Sequence, residues 1–466
     1  MMSAESKMSL LASAREKAVV ASPARERLAL LFDEGTFTEL DAFAKAAGGS
    51  AGVVTGYGAV EGTTVFAFAQ DKSDANGAVG RVQAAKIKKV YDLAVKTGSP
   101  VVGIYDSFGA ALTEGNDALA AYGEMLLCGN SLSGVVPQVS VVAGVCAGCA
   151  AMLAAGADFV VMSKKAELFL TPAKGEGTAD NAAKAGVAHI VEKDADAAIA
   201  KARHLVSMMP QNNLSSLPIF DFAASGLEAS LTAACESGDI KAADLVKAVF
   251  DADSAVELLG GFDDSVYTAM ATLGGFTCGV VATEGGALNA RSCAKAARLM
   301  QVCDAFQIPV VTFVNTCGFQ AGESGHNPLR MVREAAKLAH VYAEATTPKI
   351  AVVTGKAYGP AYVAMAGKNA GADLVLAWPS AVISALKPET VAAILHGDDV
   401  TKNKDMAAVT ADYIAGEASP YQASADGTVD DVIDPANTRN LLISALDMLS
   451  GKRVTKLPKK HGNLPL

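Results

Sequence analysis

The chain has 466 residues, 39 Lys and Arg against 49 Asp and Glu (net charge −10), 51% hydrophobic and 6% aromatic residues, 43 Gly and one Trp. At roughly 100–200 residues per domain this length holds two large domains or three ordinary ones, and the apolar content without collagen-like or heptad repetition excludes a disordered or fibrous chain. A pI near 5.2 and the lack of any sustained Lys/Arg block exclude nucleic-acid binding as the main function, but small anions remain within reach of helix N-termini.

In chain order, residues 1–28 lack the continuous apolar run of a signal peptide, so a cytoplasmic location is expected. Strand-like runs follow at Thr64–Ala69, Val101–Tyr105, Val139–Ala143 and Phe159–Met162, with helical periodicity at Val82–Lys96 and Asp117–Cys128. Strands separated by helices of this length imply parallel sheet, helices on both faces, and ligands at the carboxyl ends of the strands. Residues 139–157 are uncharged and long enough to cross a bilayer, in a chain of mean hydropathy +0.28. Their Ala/Gly-rich composition and the preceding Pro137 favour a buried strand, turn and helix. Eight scattered cysteines (128, 146, 149, 235, 278, 293, 303, 317) form no disulfide framework.

The second half repeats the first. Residues 137–158, PQVSVVAGVCAGCAAMLAAGAD, match 348–373, PKIAVVTGKAYGPAYVAMAGKNAGAD; Pro137 and Pro348, Gly144 and Gly355, and Gly148 and Gly359 are each 211 apart. SPVVGIYDS (99–107) matches IPVVTFVNT (308–316), and Phe32, Asp33, Glu39 and Leu40 match Phe250, Asp251, Glu257 and Leu258. Two homologous domains are expected, 1–225 and 226–466, meeting near the polar stretch 209–226.

Each repeat carries a strand that enters a Gly-rich turn and then a helix, at 144–150 and 355–362. First-turn N–H groups have no internal acceptors, and donors of this kind suit a developing oxyanion such as a thioester enolate. Tight strand–helix packing alone also explains such glycines, and duplication at matched positions favours a shared chemical purpose.

The sequence resembles the carboxyltransferase family of biotin-dependent acyl-CoA carboxylases, transcarboxylases and sodium-pumping acyl-CoA decarboxylases. The carrying motifs include RERLALLFDEGTFTELD (25–41), GVVTGYGAVEG (52–62), TGSPVVGIYDSFGA (97–110), GVVPQVSVVAGVCAG (134–148), MMPQNNL (208–214), CDAFQIPVVTFVNTCGF (303–319), GADLVLAWPSA (371–381) and the terminal KKHGNLPL. The resemblance implies two tandem crotonase-like (ClpP/crotonase) α/β ββα-superhelix domains. The N-terminal one would take acyl-CoA and the C-terminal one biotin, with catalysis between one subunit and its dimer partner. It also implies a short-chain acyl-CoA of the propionyl/methylmalonyl or acetyl/malonyl type, enolates steadied by backbone N–H groups, and biotin itself as the base.

Mapped here, the implied oxyanion donors are Gly148 and Cys149 in the first repeat and Gly359 and Ala361 in the second; Gly144, Gly355, Tyr358, Tyr362 and Val363 are the implied cofactor and substrate contacts. Pro360 departs from the family's glycine and has no N–H to donate, and the 171–186 loop is short. These departures keep a degenerate structural subunit open beside a carboxylating or sodium-pumping decarboxylating enzyme. Without a Met-Lys-Met tripeptide or length for an ATP-using domain, biotin would arrive on a separate biotin carboxyl carrier protein. Biotin carboxylase or membrane decarboxylase subunits would be further chains, and a dimer-based homo-oligomer, a hexamer, is implied. Cys146 and Cys149 read as CAGC, an incomplete redox or zinc motif, and no metal site is expected; His326, Lys164 and Lys165 read as surface residues that a ligand loop or CoA phosphates would explain alternatively.

Overall fold

The structure is a computed structural model and describes residues 6–46, 49–172, 175–238, 240–320, 328–401 and 403–465; His326 and part of the 171–186 loop lie outside them. The chain divides into an N unit, Met1–Pro218, and a C unit, Ile219–Leu466. The division precedes the expected 225/226 boundary because Phe220 donates its N–H to Gly275 at 2.9 Å and Ala224 bridges to Asp251, tying 219–225 to the second sheet.

The N-unit sheet contains β1 (Thr38–Leu40), β2 (Val53–Val60), β3 (Thr63–Gln70), β4 (Val101–Ser107), β5 (Gln138–Ala147), β6 (Phe159–Ser163), β7 (Glu167–Phe169) and β8 (Ile190–Glu192). Their order is β1-β2-β3-β4-β5-β6-β8, with β7 beside β5. The first three strands are antiparallel and the rest parallel. All seven residues of β4 are buried, the signature of a strand covered on both faces. The helices that matter below are α1 (Pro23–Leu31), α2 (Arg81–Thr97), α3 (Asn116–Ser131), α4 (Cys149–Ala155) and α5 (Ala195–Met208). The apolar stretch 139–157 is thus strand, turn and short helix, and no helix among the described residues is long and apolar enough to cross a membrane.

The C unit repeats this plan with β9 (Val256–Glu257), β10 (Val266–Leu273), β11 (Phe276–Thr283), β12 (Val310–Thr316), β13 (Lys349–Tyr358), β14 (Leu374–Ala377), β15 (Val382–Ser384) and β16 (Asp431–Val432). Their order is β9-β10-β11-β12-β13-β14-β16, with β15 beside β13. Its corresponding helices are α6 (Ala242–Val249), α7 (Ala290–Ala305), α8 (Pro328–Glu344), α9 (Pro360–Met365) and α10 (Thr438–Leu449). The cores are separate: Phe68, Tyr91 and Tyr105 meet edge to face in the N unit, and Phe250, Phe313 and Trp378 anchor the C unit.

The duplication extends to polar ties. Asp33, just after α1, accepts the N–H groups of Glu61 and Gly62 in the β2–β3 turn and pairs with Arg203 of α5, which also donates to Leu31 O. Asp251, just after α6, accepts Gly274 and Gly275 N–H in the β10–β11 turn and pairs with Arg439 of α10 at 2.6 Å; Arg439 also donates to Val249 O. One ion pair therefore fastens α1 and α5 to the hairpin of the N unit, and another fastens α6 and α10 to that of the C unit. Burial pushes the Asp251 carboxyl up, but the Gly275 N–H, Arg439, Thr272 and the Gly274 N–H outweigh it and hold it below the ordinary value. Buried Lys86 and Lys295 likewise each donate to one carbonyl, Val53 O and Asp263 O, both at 2.7 Å.

Two outcomes follow. The side chains of Arg439 and Asp251 are 5% and 3% exposed, so Arg439→Met, which strands the carboxylate, is expected to destabilise the C unit by about 3–5 kcal/mol. The fluorescence of Trp378, the one tryptophan, reports this in urea titration. Lys349 Nζ donates to Tyr342 O at 2.6 Å, and burial, reinforced by Lys452, lowers its pKa from 10.5 to about 8. Between those values the unfolded chain holds the proton that the folded chain has released, so this group's contribution to stability rises with pH across the window. Thermal unfolding of the parent relative to Lys349→Met is expected to shift in the parent's favour from pH 8 to 10.5.

Candidate active site

The two strands that lead to the glycine turns share an irregularity. In the N unit, β4 and β5 are in register to Tyr105 and Val142, slip, and resume with Ser107 opposite Cys146. Asp106 sits in the slip: its Oδ1 accepts the Val145 N–H at 3.2 Å and its Oδ2 pairs with Arg27 of α1 at 2.9 Å. A Cβ on Gly144 would lie 2.1 Å from that Oδ1. In the C unit the slip falls between Val314 and Thr316, Asn315 Oδ1 accepts the Lys356 N–H at 3.1 Å, and a Cβ on Gly355 would lie 2.6 Å from Asn315 Oδ1. Gly144 and Gly355 therefore meet these side chains, which accounts for glycine at both positions without a ligand.

Beyond the slip each strand turns into a short helix through a glycine with φ 64° at Gly148 and 59° at Gly359, conformations that a side chain would strain. Both glycine N–H groups are engaged: Gly148 donates to Phe169 O at the end of β7 and Gly359 to Ser384 O at the end of β15, each at 2.9 Å. As donors to a ligand, Gly148 and Gly359 are therefore corrected; their function is to set the turn. The next N–H groups have no acceptor among the described residues. In the N unit these belong to Cys149 and Ala150, with Ala151 closing back on Gly148 O at 3.0 Å; in the C unit Pro360 has none to give and Ala361 retains its own.

A second wall faces each turn, and sequence reasoning missed it. Ser107 Oγ donates to Gly77 O at 2.6 Å and accepts the Gly109 N–H at 3.0 Å, while Gly109 O and Val79 O take the N–H groups of Val79 and Ala111, leaving the Ala110 N–H without an acceptor among the described residues. A Cβ on Gly109 would lie 3.4 Å from Ala147 O, the residue before the turn. In the C unit Thr316 Oγ1 donates to Gly286 O at 2.8 Å and accepts Gly318 N–H at 3.3 Å, Gly318 O and Leu288 O are taken by Leu288 and Gln320, and the Phe319 N–H has no acceptor among the described residues. A Cβ on Gly318 would lie 3.6 Å from Tyr358 O. The signal lay in the sequence: Ser107-Phe108-Gly109-Ala110 and Thr316-Cys317-Gly318-Phe319 align at an offset of 209. Each unit therefore carries backbone N–H groups without an acceptor among the described residues on two segments that approach one another at the turn, Ala110 with Cys149 and Ala150, and Phe319 with Ala361, the donor type suited to an oxyanion.

The other predicted residues are placed as follows. Tyr358 ends β13 half-buried, its hydroxyl pushed up by burial and then by Glu389. Tyr362 donates its hydroxyl to Thr428 O at 2.9 Å, an internal tie. Val363 projects from α9 and is 55% exposed, leaving its side chain available to a ligand. Cys146 is buried at the end of β5, with its thiol pushed up by burial, whereas Cys149 opens α4 half-exposed; all eight cysteines are free thiols. Lys164 pairs with Asp180 at 2.5 Å, and Glu114, the carboxylate in the loop leading from the second wall, caps Arg81 N–H at 2.8 Å. Among the described residues no group of three or more His, Cys, Asp or Glu is placed to hold a metal ion.

Comparison with known proteins agrees with this architecture. Residues 21–464 match the family model described as the carboxyl transferase domain. The chain is 39% identical over 479 residues to the methylmalonyl-CoA decarboxylase subunit alpha of Veillonella parvula, covering 95% of this chain and 93% of that one. It is 37% identical to the methylmalonyl-CoA carboxyltransferase 12S subunit of Propionibacterium freudenreichii subsp. shermanii, covering 95% and 91%. A transcarboxylase 12S crystal structure with methylmalonyl-coenzyme A bound, described as a hexamer in a multienzyme core, superposes with a TM-score of 0.92 at 34% identity over 99% of this chain and 100% of that one. Two crotonase-fold units, each ending its central strand in a paired set of backbone donors, thus belong to a recognised enzyme family: the chain is a member of the carboxyl transferase domain family of biotin-dependent acyl-CoA carboxyltransferases.

Proposed function

We propose that this protein moves a carboxyl group between biotin on a separate carrier protein and the α-carbon of a short acyl-CoA, the methylmalonyl/propionyl pair being the substrate. The observation that carries the reading is the duplicated crevice: two sets of backbone donors for two oxyanions, one on a thioester and one on a ureido ring. The Cys149, Ala150 and Ala110 N–H groups of the N unit hold the thioester oxygen as its enolate forms. The Ala361 and Phe319 N–H groups of the C unit hold the oxygen of the ring. Biotin, when bound, supplies the carboxyl group and the base. Neutral backbone donors fit that assignment because they stabilise negative charge on oxygen without competing for the proton. Copies of the chain assemble as in the transcarboxylase hexamer and work with biotin-carrying partner subunits.

Purified protein given methylmalonyl-CoA and a biotinylated carrier is expected to release propionyl-CoA only when biotin is present, as read by chromatography of the CoA esters. No biotin-dependent exchange with methylmalonyl-, malonyl-, propionyl- or acetyl-CoA would sink the reading. Within the site, Gly144→Ala drives a methyl group into the Asp106 carboxylate, which Arg27 and the Val145 N–H hold in place. It is expected to lower kcat by about a hundredfold or more, the scale for losing one oxyanion donor. Gly397→Ala, where a Cβ meets nothing within 4 Å, is expected to leave kcat unchanged.

A further inference from the structure

The segment that carries the Ala110 N–H is fixed through its backbone: Ser107 Oγ holds Gly77 O and the Gly109 N–H, and the Phe108 N–H goes to Asn76 O at 3.1 Å. The Phe108 side chain is nevertheless 56% exposed and stands outside the hydrophobic core of the N unit. It is two residues from Ala110 in the chain and adds little to burial. One group attends its ring: Lys72 Nζ lies 6.0 Å from the centroid, within cation–π range. The same ammonium is 4.0 Å from Asp106 Oδ1, on a side chain that is 46% exposed. Asp106 does not depend on this cation, because Arg27 reaches its other oxygen at 2.9 Å. Asp71, next to Lys72 in the chain, accepts the Ser73 N–H and hydroxyl. Lys72 therefore brings a loosely neutralised positive charge to an exposed apolar ring at the edge of the donor segment.

We propose that Lys72 and Phe108 form a subsite for the α-carbon of a 2-carboxyacyl thioester, the ammonium taking the carboxylate and the ring taking the α-methyl group. The α-carbon is two bonds from the thioester oxygen that the N-unit donors hold. A methylmalonyl group carries an anion and a methyl group on that one carbon, and a cation beside a phenyl ring offers the matching pair of surfaces. The C unit has neither. Cys317 stands in the place of Phe108, Gly285 lies two residues beyond β11 as Lys72 lies two beyond β3, and the neutral Asn315 replaces Asp106. The pair thus goes with the crevice assigned to acyl-CoA, and its assignment rests on the carboxyltransferase reading above.

The test is calorimetric binding of methylmalonyl-, malonyl- and propionyl-CoA to the full chain, which needs no carrier protein. Lys72→Met is expected to weaken methylmalonyl-CoA about tenfold, the scale of a hydrogen bond to a charged group, and to leave propionyl-CoA within about twofold. The parent's preference for methylmalonyl- over propionyl-CoA is expected to shrink as salt is raised, and that of Lys72→Met to stay flat. Phe108→Ala is expected to lower the preference for methylmalonyl- over malonyl-CoA about tenfold, the scale of one methyl group in an apolar pocket, and Phe108→Leu to restore most of it. Lys89→Met, at a lysine equally exposed at 46% and paired with Asp41, is expected to change nothing. Equal weakening of methylmalonyl- and propionyl-CoA by Lys72→Met would overturn the proposal, as would an unchanged methyl preference in Phe108→Ala. A parent that shows these preferences but no biotin-dependent exchange overturns the carboxyl transfer and leaves the subsite standing; a parent that binds none of the esters overturns both.

Discussion

The structure depends on a side chain lying where another residue's Cβ would be. Asp106 and Asn315 each cross from one strand to the next at a slip in register, accept a backbone N–H there, and occupy the space above Gly144 and Gly355. An unbridged slip would leave a buried donor unsatisfied, and a residue larger than glycine would push the two strands apart. With the bridge in place, β5 and β13 continue past the slip to pair with β7 and β15, and these short strands receive the Gly148 and Gly359 N–H groups. The glycines are thereby held at positive φ, and the Cys149, Ala150 and Ala361 N–H groups that follow are left without an acceptor among the described residues. Removing one of these steps removes the reason for the next.

The two bridges differ in charge, and the difference propagates. Asp106 is a buried carboxylate and needs a cation, which Arg27 brings from α1, so the N-unit crevice is anchored to the start of the chain. Asn315 is neutral and relies on hydrogen bonds alone, its own N–H going to Thr283 Oγ1 at 2.6 Å. The turns themselves differ by one donor, Cys149 against Pro360. Proline at the first helical position costs the helix nothing, because that N–H has no internal partner, but it narrows the C-unit crevice to Ala361 and Phe319. A proline there also fixes the entry of the chain into α9, exchanging a donor for rigidity.

Much of this was legible in the sequence because duplication leaves a constant offset. The central strands, their parallel order and the position of both turns follow from the 209- and 211-residue spacings and from local periodicity. The occupancy of the glycine N–H groups was not legible, since Phe169 and Ser384 lie 21 and 25 residues away and carry no motif; only the pairing of β7 and β15 brings their carbonyls to the turns. The antiparallel β2–β3 and β10–β11 hairpins were likewise hidden: only Thr64–Ala69, within β3, read as strand-like. Ala110 and Phe319 escaped notice for a different reason: a backbone donor leaves no side-chain signature, and the repeated Gly109 and Gly318 mark it only after the two halves are aligned beyond the second strand.

What the halves kept and what they changed separates scaffold from chemistry. The Asp–Arg ties at Asp33 and Asp251, the buried lysines Lys86 and Lys295, and the capping contacts of Gln83 on Gly80 and Ser292 on Asn289 recur at matched places although their exposures and neighbours differ. All of them satisfy backbone groups that this fold leaves unpaired wherever it is built, so drift in either copy is penalised by the same few kcal/mol. The residues at the two glycine turns and the segments beside them make none of these ties, and there the copies diverge: Cys149 for Pro360, Ala110 for Phe319, Met152 for Val363. A gene duplication that conserved only packing would show the reverse pattern, with variable ties and uniform crevices. Under the proposed carboxyl transfer, with one oxyanion on a thioester and the other on a ureido ring, one scaffold with two different linings is what the reaction requires, since each oxygen needs the same backbone geometry while each carbon skeleton needs its own walls.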